Sequence, residues 1–354
     1  AASYRVTATT RIRADFERGQ IDDSEPRSQT LDDQVLLWNS RGRPTFATVP
    51  DATTRTENGL TQLSTAATTP RVTYVANNDL VVAMRGTLTT AGTNRVISDP
   101  RIADYSVNVG GPGMDRSARI TTYSAFLEHQ FSKTSFLELS YNHLDFDFVR
   151  FDPRPGGSNQ LFGDPERLLP TGAVNPYAGQ LMIESNWIRQ WRRQNDDTGR
   201  ATFSKEFEAG KWGKYRVAAL GEYRKAFRGT LNTVPIWVDA ATRLAAFNAL
   251  PENGANLVWF RNHVTEHDWA SYHVPDHKKN LQNVRDPVTG RALSAKWIVN
   301  NANLPEENYS TEKAMMLAGQ ARYFSGRLIV AAGFRRDDVD QFLVAKRRNP
   351  VTRE

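Results

Sequence analysis

The sequence predicts an all-β protein, an antiparallel transmembrane β-barrel of which about seven strands lie within these 354 residues. Three observations support this fold class. Segments with alternating apolar and polar side chains occur in pairs, tight turns join the members of each pair, and long connections separate the pairs. Short turns at one end and long loops at the other are typical of outer-membrane barrels, in which the turns are periplasmic and the loops extracellular.

The paired segments predict three hairpins. In the first of them, Leu137 and Leu139 fall on one face of a strand, and Glu138 and Ser140 fall on the other. Because successive side chains of a strand point to opposite faces, each segment has an apolar and a polar wall. In a barrel the apolar wall meets lipid and the polar wall meets the lumen. The hairpins comprise residues 124–130 with 136–148, 200–207 with 215–224, and 312–323 with 328–335.

The rest of the chain is interpreted around these hairpins. Residues 4–16 alternate and predict one further strand, whose hairpin partner we do not find. Residues 19–118, 151–197 and 231–310 predict long loops, with one short helix at 239–249. Connections of this length are unusual in a compact soluble domain, whereas the extracellular loops of outer-membrane barrels are often long.

Composition excludes several other classes. The apolar fraction is 39%, and no run approaches the roughly 18 apolar residues of a membrane-spanning helix. There is no cysteine, so disulfides and thiolate metal sites are excluded. A net charge of +6 without a compact basic motif argues against nucleic-acid binding. Anionic lipid headgroups or an anionic ligand are the partners that this charge favours.

Several segments together resemble a known family. Residues 108–113, 123–131, 136–143 and 318–338, with an Asn-Pro-Tyr sequence at 175–177, are similar to the barrel of TonB-dependent outer-membrane receptors. The resemblance is carried by these 47 residues, about an eighth of the chain. It implies a barrel of 22 strands with an N-terminal plug in the lumen, so residues 1–354 would form a partial barrel within a longer polypeptide that supplies the plug and the C-terminal strands.

The resemblance also implies a function in the bacterial outer membrane. Such receptors take up a scarce ligand, most often a ferric siderophore-like chelate, and a TonB-type energising protein acts on the plug. We expect contacts with outer-membrane lipid and lipopolysaccharide, no cofactor and no enzymatic activity. Two alternatives remain open: a passive porin or adhesin-type barrel, and a soluble β-rich carbohydrate-binding protein.

Tryptophan and arginine side chains are concentrated in the predicted loops. Exposed aromatic rings beside arginines form amphipathic surfaces suited to sugars, chelates or protein partners. The alternative is that the loops fold on each other and bury the tryptophans. The sequence predicts an extracellular ligand-binding surface that includes Trp187, Arg189, Trp191, Arg192, Trp259, Arg261 and Trp269.

Histidines cluster in the third predicted loop. Residues 263–267 match the H-x-x-E-H pattern of some zinc peptidases, which requires a helix that places both histidines on one face. The surrounding residues lack an apolar helical stripe, so we do not predict a protease. His263, His267, His273 and His277 remain candidates for contacting Zn or Cu, although a solvated polar loop is the simpler interpretation and no metal is expected.

Overall fold

The computed structural model describes residues 1–24, 32–33, 35–48, 55–58, 60–62, 71–75, 80–83, 115–155, 160–169, 171–251, 253–264, 281–286, 289–300 and 305–345. No helix within these ranges is long and apolar enough to cross a bilayer. One short α-helix is present there, α1 (Leu36–Ser40).

Long antiparallel strands form a continuous wall. Each strand of the wall pairs with its neighbours in chain order, and the first and last strands of the wall have one such neighbour each. The wall strands are β1 (Ala2–Thr7), β2 (Thr10–Ser24), β8 (Asp115–Ser132), β9 (Ser135–Pro155), β11 (Leu181–Glu208), β12 (Lys214–Asp239), β16 (Glu306–Tyr323) and β17 (Leu328–Ala345).

Shorter strands lie in the connections between wall strands. Those that join the large sheet extend it beyond the wall at the end where the long connections lie. The shorter strands are β3 (Asp32–Asp33), β4 (Arg55–Glu57), β5 (Leu60–Gln62), β6 (Arg71–Val75), β7 (Leu80–Ala83), β10 (Gln160–Gly163), β13 (Trp259–Val264), β14 (Val284–Arg285) and β15 (Ala292–Val299).

The structure confirms the all-β antiparallel barrel-type fold and its layout of short turns and long connections. The three predicted hairpins are β8–β9, β11–β12 and β16–β17. The prediction for residues 4–16 was wrong in one respect: they form a hairpin, β1–β2, which turns at Ala8 and Thr9. The hydroxyl of Thr7 accepts a hydrogen bond from the Thr9 amide at 3.2 Å. The turn contains no Gly or Pro, and apolar and polar residues continue to alternate across it. The sequence pattern therefore does not reveal the turn.

The predicted limits of the long loops were also wrong. Strand β9 runs to Pro155 and β11 already begins at Leu181, so most of the predicted loop 151–197 is strand. The pairing between these strands continues without a register shift from Ser185 to Lys205. The extension was missed because the apolar-polar alternation fades beyond the lipid-facing part, whereas backbone pairing does not depend on it.

Residues 239–249 do not form the predicted helix. The carboxylate of Asp239 accepts hydrogen bonds from the amides of Ala241 (3.1 Å) and Thr242 (2.8 Å), which makes a tight turn directly after β12. Hydrogen bonds from the backbone and hydroxyl of Thr242 hold the pKa of Asp239 below its ordinary value. Asp favours such side-chain-to-backbone turns over the interior of a helix.

The wall has two chemically distinct faces. Paired residues of neighbouring strands share a face, and Leu127, Leu139 and Ala201 are related in this way. We call their side the outer face and the opposite side the inner face. On β11 the outer Phe203 is 38% exposed, whereas the smaller inner Thr202 is only partly exposed. Such a difference is what a convex outer face and a concave inner face produce, as in a barrel wall.

Aromatic rows mark the limits of the apolar outer band. Tyr215 and Tyr323 lie together at the end where the short turns are, with ring centroids 5.9 Å apart. At the other limit, Tyr123 and Tyr141 are 6.0 Å apart. On β12 the band runs from Tyr215 to Tyr223, about 26 Å along the strand or about 20 Å at a tilt of ~40°. This height is somewhat less than the roughly 25 Å of the apolar band of an outer-membrane barrel.

Two buried clusters cover the wall beyond this band. The first consists of Trp187, Trp237, Val258, Phe260, Leu281 and Leu293. The second lies where α1 meets β10 and the start of β11, around the fully buried Trp38. The indole N–H of Trp38 donates to the Pro44 carbonyl at 2.8 Å. A β-carbon at Gly163 would lie 2.3 Å from this ring, so only glycine allows the close approach.

Candidate functional site

Two aromatic side chains of β9 above the lipid band lie on the face opposite to its lipid-facing residues. Leu137, Leu139 and Tyr141 are on the outer face, but Phe146 and Phe148 are on the inner face. No bulge lies between them in the pairing with β11, so the change belongs to the sequence and not to the backbone. Two large aromatic side chains therefore point into the lumen on the side of the long connections, beyond the membrane zone.

These phenylalanines form part of a patch that we call the inner patch: Phe146, Phe148, Arg192, Gln194 and Arg228. The two rings stack with centroids 6.2 Å apart and an interplanar angle of 16°. The Arg192 guanidinium carbon lies 6.0 Å from the Phe148 ring. Gln194 pairs with Phe146 on one side and with Arg228 on the other, which places all three on one row of the inner face.

The two arginines of the inner patch are exposed and lack an anionic partner among the described residues. Two inner-face arginines closer to the tight turns are paired instead: Arg224 with Asp196, and Arg200 with Glu222 at 2.5 Å. Unpaired guanidinium groups beside aromatic rings suit an anionic ligand that has planar groups. The inner patch is therefore the candidate binding site.

The structure separates the predicted ligand-binding residues instead of bringing them together. Trp187, Arg189 and Trp191 lie on the outer face of β11, whereas Arg192 lies on the inner face. All four belong to a strand, so their placement in a loop was wrong. The reason is the strand extension described above, because within a strand a change from an odd to an even position reverses the face.

Trp187 is fully buried in the first cluster, which agrees with the alternative in which tryptophans pack within the protein. Trp259 and Arg261 lie in β13 and are also buried, at 8% and 2% exposure. None of these three side chains offers a ligand-accessible surface in the described part of the chain. Trp269 lies outside the described residues.

Arg261 belongs to a buried polar network. Its Nη1 lies 3.3 Å from Asp164 Oδ2, and His263 Nε2 lies 3.1 Å from the same oxygen. Asn175 donates to Asp164 Oδ1 at 3.0 Å, and the ring of Tyr177 stacks on that of His263 at 4.0 Å. The Asn-Pro-Tyr sequence thus fixes a connection onto β13.

The network also bears on the histidine candidates. His263 is engaged by Asp164 and Tyr177, in the manner of a structural residue. His267, His273 and His277 lie outside the described residues. Within the ranges that the structure describes, no group of three or more His, Asp or Glu side chains is arranged to hold a metal ion.

Sequence reasoning did not single out Phe146, Phe148 or Arg228. A signal was present for the phenylalanines, because apolar residues at even positions follow apolar residues at odd positions within one strand. Arg228 could not be found this way, since its proximity to Arg192 depends on the pairing of β11 with β12.

Comparison with known proteins gives structural likenesses only. No family model matches the chain, and no curated protein matches it. BauA, the ferric preacinetobactin receptor from Acinetobacter baumannii, aligns with 97% of this chain at 8% identity and a TM-score of 0.45. The siderophore receptor PiuA from Acinetobacter baumannii aligns with 96% at 11% identity and a TM-score of 0.37. The chain spans 33% and 38% of the lengths of these two proteins.

The wall itself defines the class of protein. An antiparallel sheet with an apolar convex face, a charged concave face and aromatic rows at both limits is the wall of a membrane β-barrel. Its tight turns at one end and long connections at the other are the layout that the sequence predicted.

Proposed function

We propose that this chain forms part of the barrel of an outer-membrane receptor that takes up a ferric siderophore-like chelate. The observation that supports this most directly is the inner patch, where Arg192 lies against Phe148 and Arg228 lies one strand further on, across Gln194, and neither arginine has a carboxylate partner in the described structure. The patch faces the lumen about 13–18 Å beyond the apolar band at a tilt of ~40°, on the side of the long connections. A ligand that enters from outside the cell would meet it before reaching the membrane zone.

The chemistry of the patch favours a chelate with catecholate groups. Three catecholates around Fe³⁺ leave a net negative charge and expose flat aromatic rings. Arg192 and Arg228 match the charge, and Phe146 and Phe148 match the rings. Since the chelator itself holds the iron, no metal ligand from the protein is required.

The remaining parts of the proposal concern the whole polypeptide. We infer that the long connections face the outside of the cell and the tight turns face the periplasm. A plug outside residues 1–354 would couple uptake to a TonB-type energising protein, and the protein would act as a transporter without enzymatic activity.

The test uses the full-length receptor, purified in detergent, with the double substitution Arg192→Gln and Arg228→Gln. We expect affinity for an anionic ferric tris-catecholate complex, followed by tryptophan fluorescence quenching, to fall by at least about tenfold, because charge-assisted contacts are lost. Affinity for a neutral ferric tris-hydroxamate complex should change much less. Arg193→Gln is the matched control, since Arg193 is adjacent on β11 but lies on the outer face.

Equal affinity of the double variant and the wild type for the anionic chelate would reject the inner patch as the site. Energy coupling needs a separate measurement of chelate uptake by cells, with and without the proton gradient across the inner membrane. Uptake that persists without the gradient would favour the passive barrel instead.

A further inference from the structure

A row of three polar side chains lies directly beyond the inner patch on the same face of the wall. Gln190 of β11 pairs with Arg150 of β9 on one side and with Asn232 of β12 on the other. We call these three residues the polar row. Gln190 is the next inner-face residue of β11 after Arg192, about 7 Å along the strand, so one ligand can contact both.

One hydrogen bond fixes which end of the Gln190 amide is available. Gln190 Nε2 donates to Asn232 Oδ1 at 2.9 Å, and Asn232 is only 6% exposed. The other end, Oε1, is buried and has no hydrogen-bond partner in the part of the chain that the structure describes. The same holds for the Nε donor of Arg150, whose Nη2 lies 3.5 Å from Asp152 Oδ2. The polar row therefore contains one unsatisfied acceptor and one unsatisfied donor, on neighbouring strands.

The polar row is closed on one side and open on the other. Beyond it, Ile188 and Val234 continue the same face, and each is only 4% exposed. On its other side lies the inner patch, where Arg192 is exposed to the lumen. Gln190 and Arg150 are partly exposed, and the long Arg150 side chain can turn aside. A ligand in the inner patch therefore reaches the unsatisfied atoms from the patch.

We propose that the polar row is a second subsite, which binds an amide group in the linker that joins the metal-binding groups of the chelate. The amide N–H would donate to Gln190 Oε1, and the amide carbonyl would accept from Arg150 Nε. Buried polar atoms without partners are costly, and an amide supplies both missing partners at once. An ester linker has a similar shape but no N–H, so it leaves Gln190 unsatisfied. This inference rests on the proposed function, in which the inner patch binds the charged rings of the same chelate.

The experiment compares two synthetic ferric tris-catecholate chelates, one with amide-linked and one with ester-linked arms, on the full-length receptor in detergent. We expect the wild type to bind the amide-linked chelate at least about tenfold more tightly. Gln190→Met should bind both with equal affinity, because methionine keeps the length of the side chain but is only a weak acceptor. Gln320→Met is the matched control, since Gln320 lies on the inner face of β16 near the tight turns and the variant should keep the preference.

A third tris-catecholate chelate, with hydrocarbon-linked arms, separates this proposal from the first. Its affinity should fall in the double variant Arg192→Gln and Arg228→Gln and stay as in the wild type in Gln190→Met. Equal affinity of the wild type for the amide-linked and ester-linked chelates would overturn the polar row as a subsite, and so would a preference that persists in Gln190→Met. The wild-type comparison needs no variant, so it decides the question even if Gln190→Met does not fold.

Discussion

The substitution Asp164→Asn tests how the connection between β10 and β11 is held on the wall. Asp164 is 1% exposed, and its Oδ2 lies 3.3 Å from Arg261 Nη1 and 3.1 Å from His263 Nε2. The variant keeps the shape of the side chain and one oxygen for Asn175. It removes the negative charge. An amide NH₂ group, or a single neutral oxygen, then takes the position of Oδ2 and faces the two donors, Arg261 and His263.

Removing one partner of a buried ion pair typically costs about 3–5 kcal/mol, because the other charge remains buried. Arg261 has further interactions, so we take the lower end, about 3 kcal/mol. If this loss of free energy destabilises only the local segment, the equilibrium constant for local unfolding of residues 160–180 rises about a hundredfold. Hydrogen exchange of peptides from this segment, measured on the full-length protein in detergent, reports this constant directly.

The matched control is Asp337→Asn. Asp337 pairs with Arg335 at 2.8 Å, but both side chains are about half exposed, so solvent screens the pair. We expect exchange around β17 to remain as in the wild type. A rise of less than about threefold in the segment 160–180 of Asp164→Asn would refute the reasoning. The network would then be a consequence of the local fold and not a cause of its stability.

Three further predictions follow from packing and turn geometry. Gly163→Ala should loosen the packing of Trp38 at a cost of about 1–3 kcal/mol, seen as faster proteolysis at residues 35–48, and unchanged proteolysis would show that the ring can move aside. Trp187→Ala should lower stability by about 3–5 kcal/mol in thermal unfolding while the folded variant keeps its chelate affinity, and a loss of affinity without destabilisation would contradict this. Because the folded-state pKa of the Asp239 carboxyl is lowered, its hydrogen bonds stabilise the turn above its unfolded-state pKa, and this stabilisation is lost as the pH falls through the folded-state pKa. Exchange of the Thr242 amide, corrected for intrinsic rates, should therefore rise at low pH in the wild type. In Asp239→Asn the corrected exchange rate should not depend on pH.

The sequence was most informative where lipid imposes a pattern. Leu137, Leu139 and Tyr141 alternate with polar residues because one face of the wall meets hydrocarbon, and that alternation was sufficient to predict the three hairpins. Beyond the band both faces meet water or protein, so β9 and β11 continue without a periodic signal. The turn at Ala8 and Thr9 was hidden for a different reason, since its residues preserve the alternation across the turn.

The binding surfaces could be predicted only in part, because each depends on register. Arg189 and Arg192 were both recognised as members of a tryptophan- and arginine-rich segment. Their separation to opposite faces follows from their odd and even positions once the segment is known to be a strand. Phe148 and Arg228, the partners of Arg192, come from two other strands. Only the pairing of those strands with β11 shows which residues are neighbours.

The side chains of β11 therefore face three different environments, although the pairing of this strand with β9 keeps a single register. Near its end, Phe203 faces lipid; further along, Arg192 faces the lumen and Arg189 faces the exterior of the wall. Because the pairing with β9 is continuous from Ser185 to Lys205, the lipid-facing residues also set the faces of the two arginines ten or more positions away. A one-residue slip that exposed Phe203 to the lumen would also exchange the two arginines between faces. The free energy of lipid contact in the band therefore also stabilises the arrangement in which Arg192 faces the lumen and Arg189 faces the exterior. No further local structure is needed to keep the two side chains on these faces.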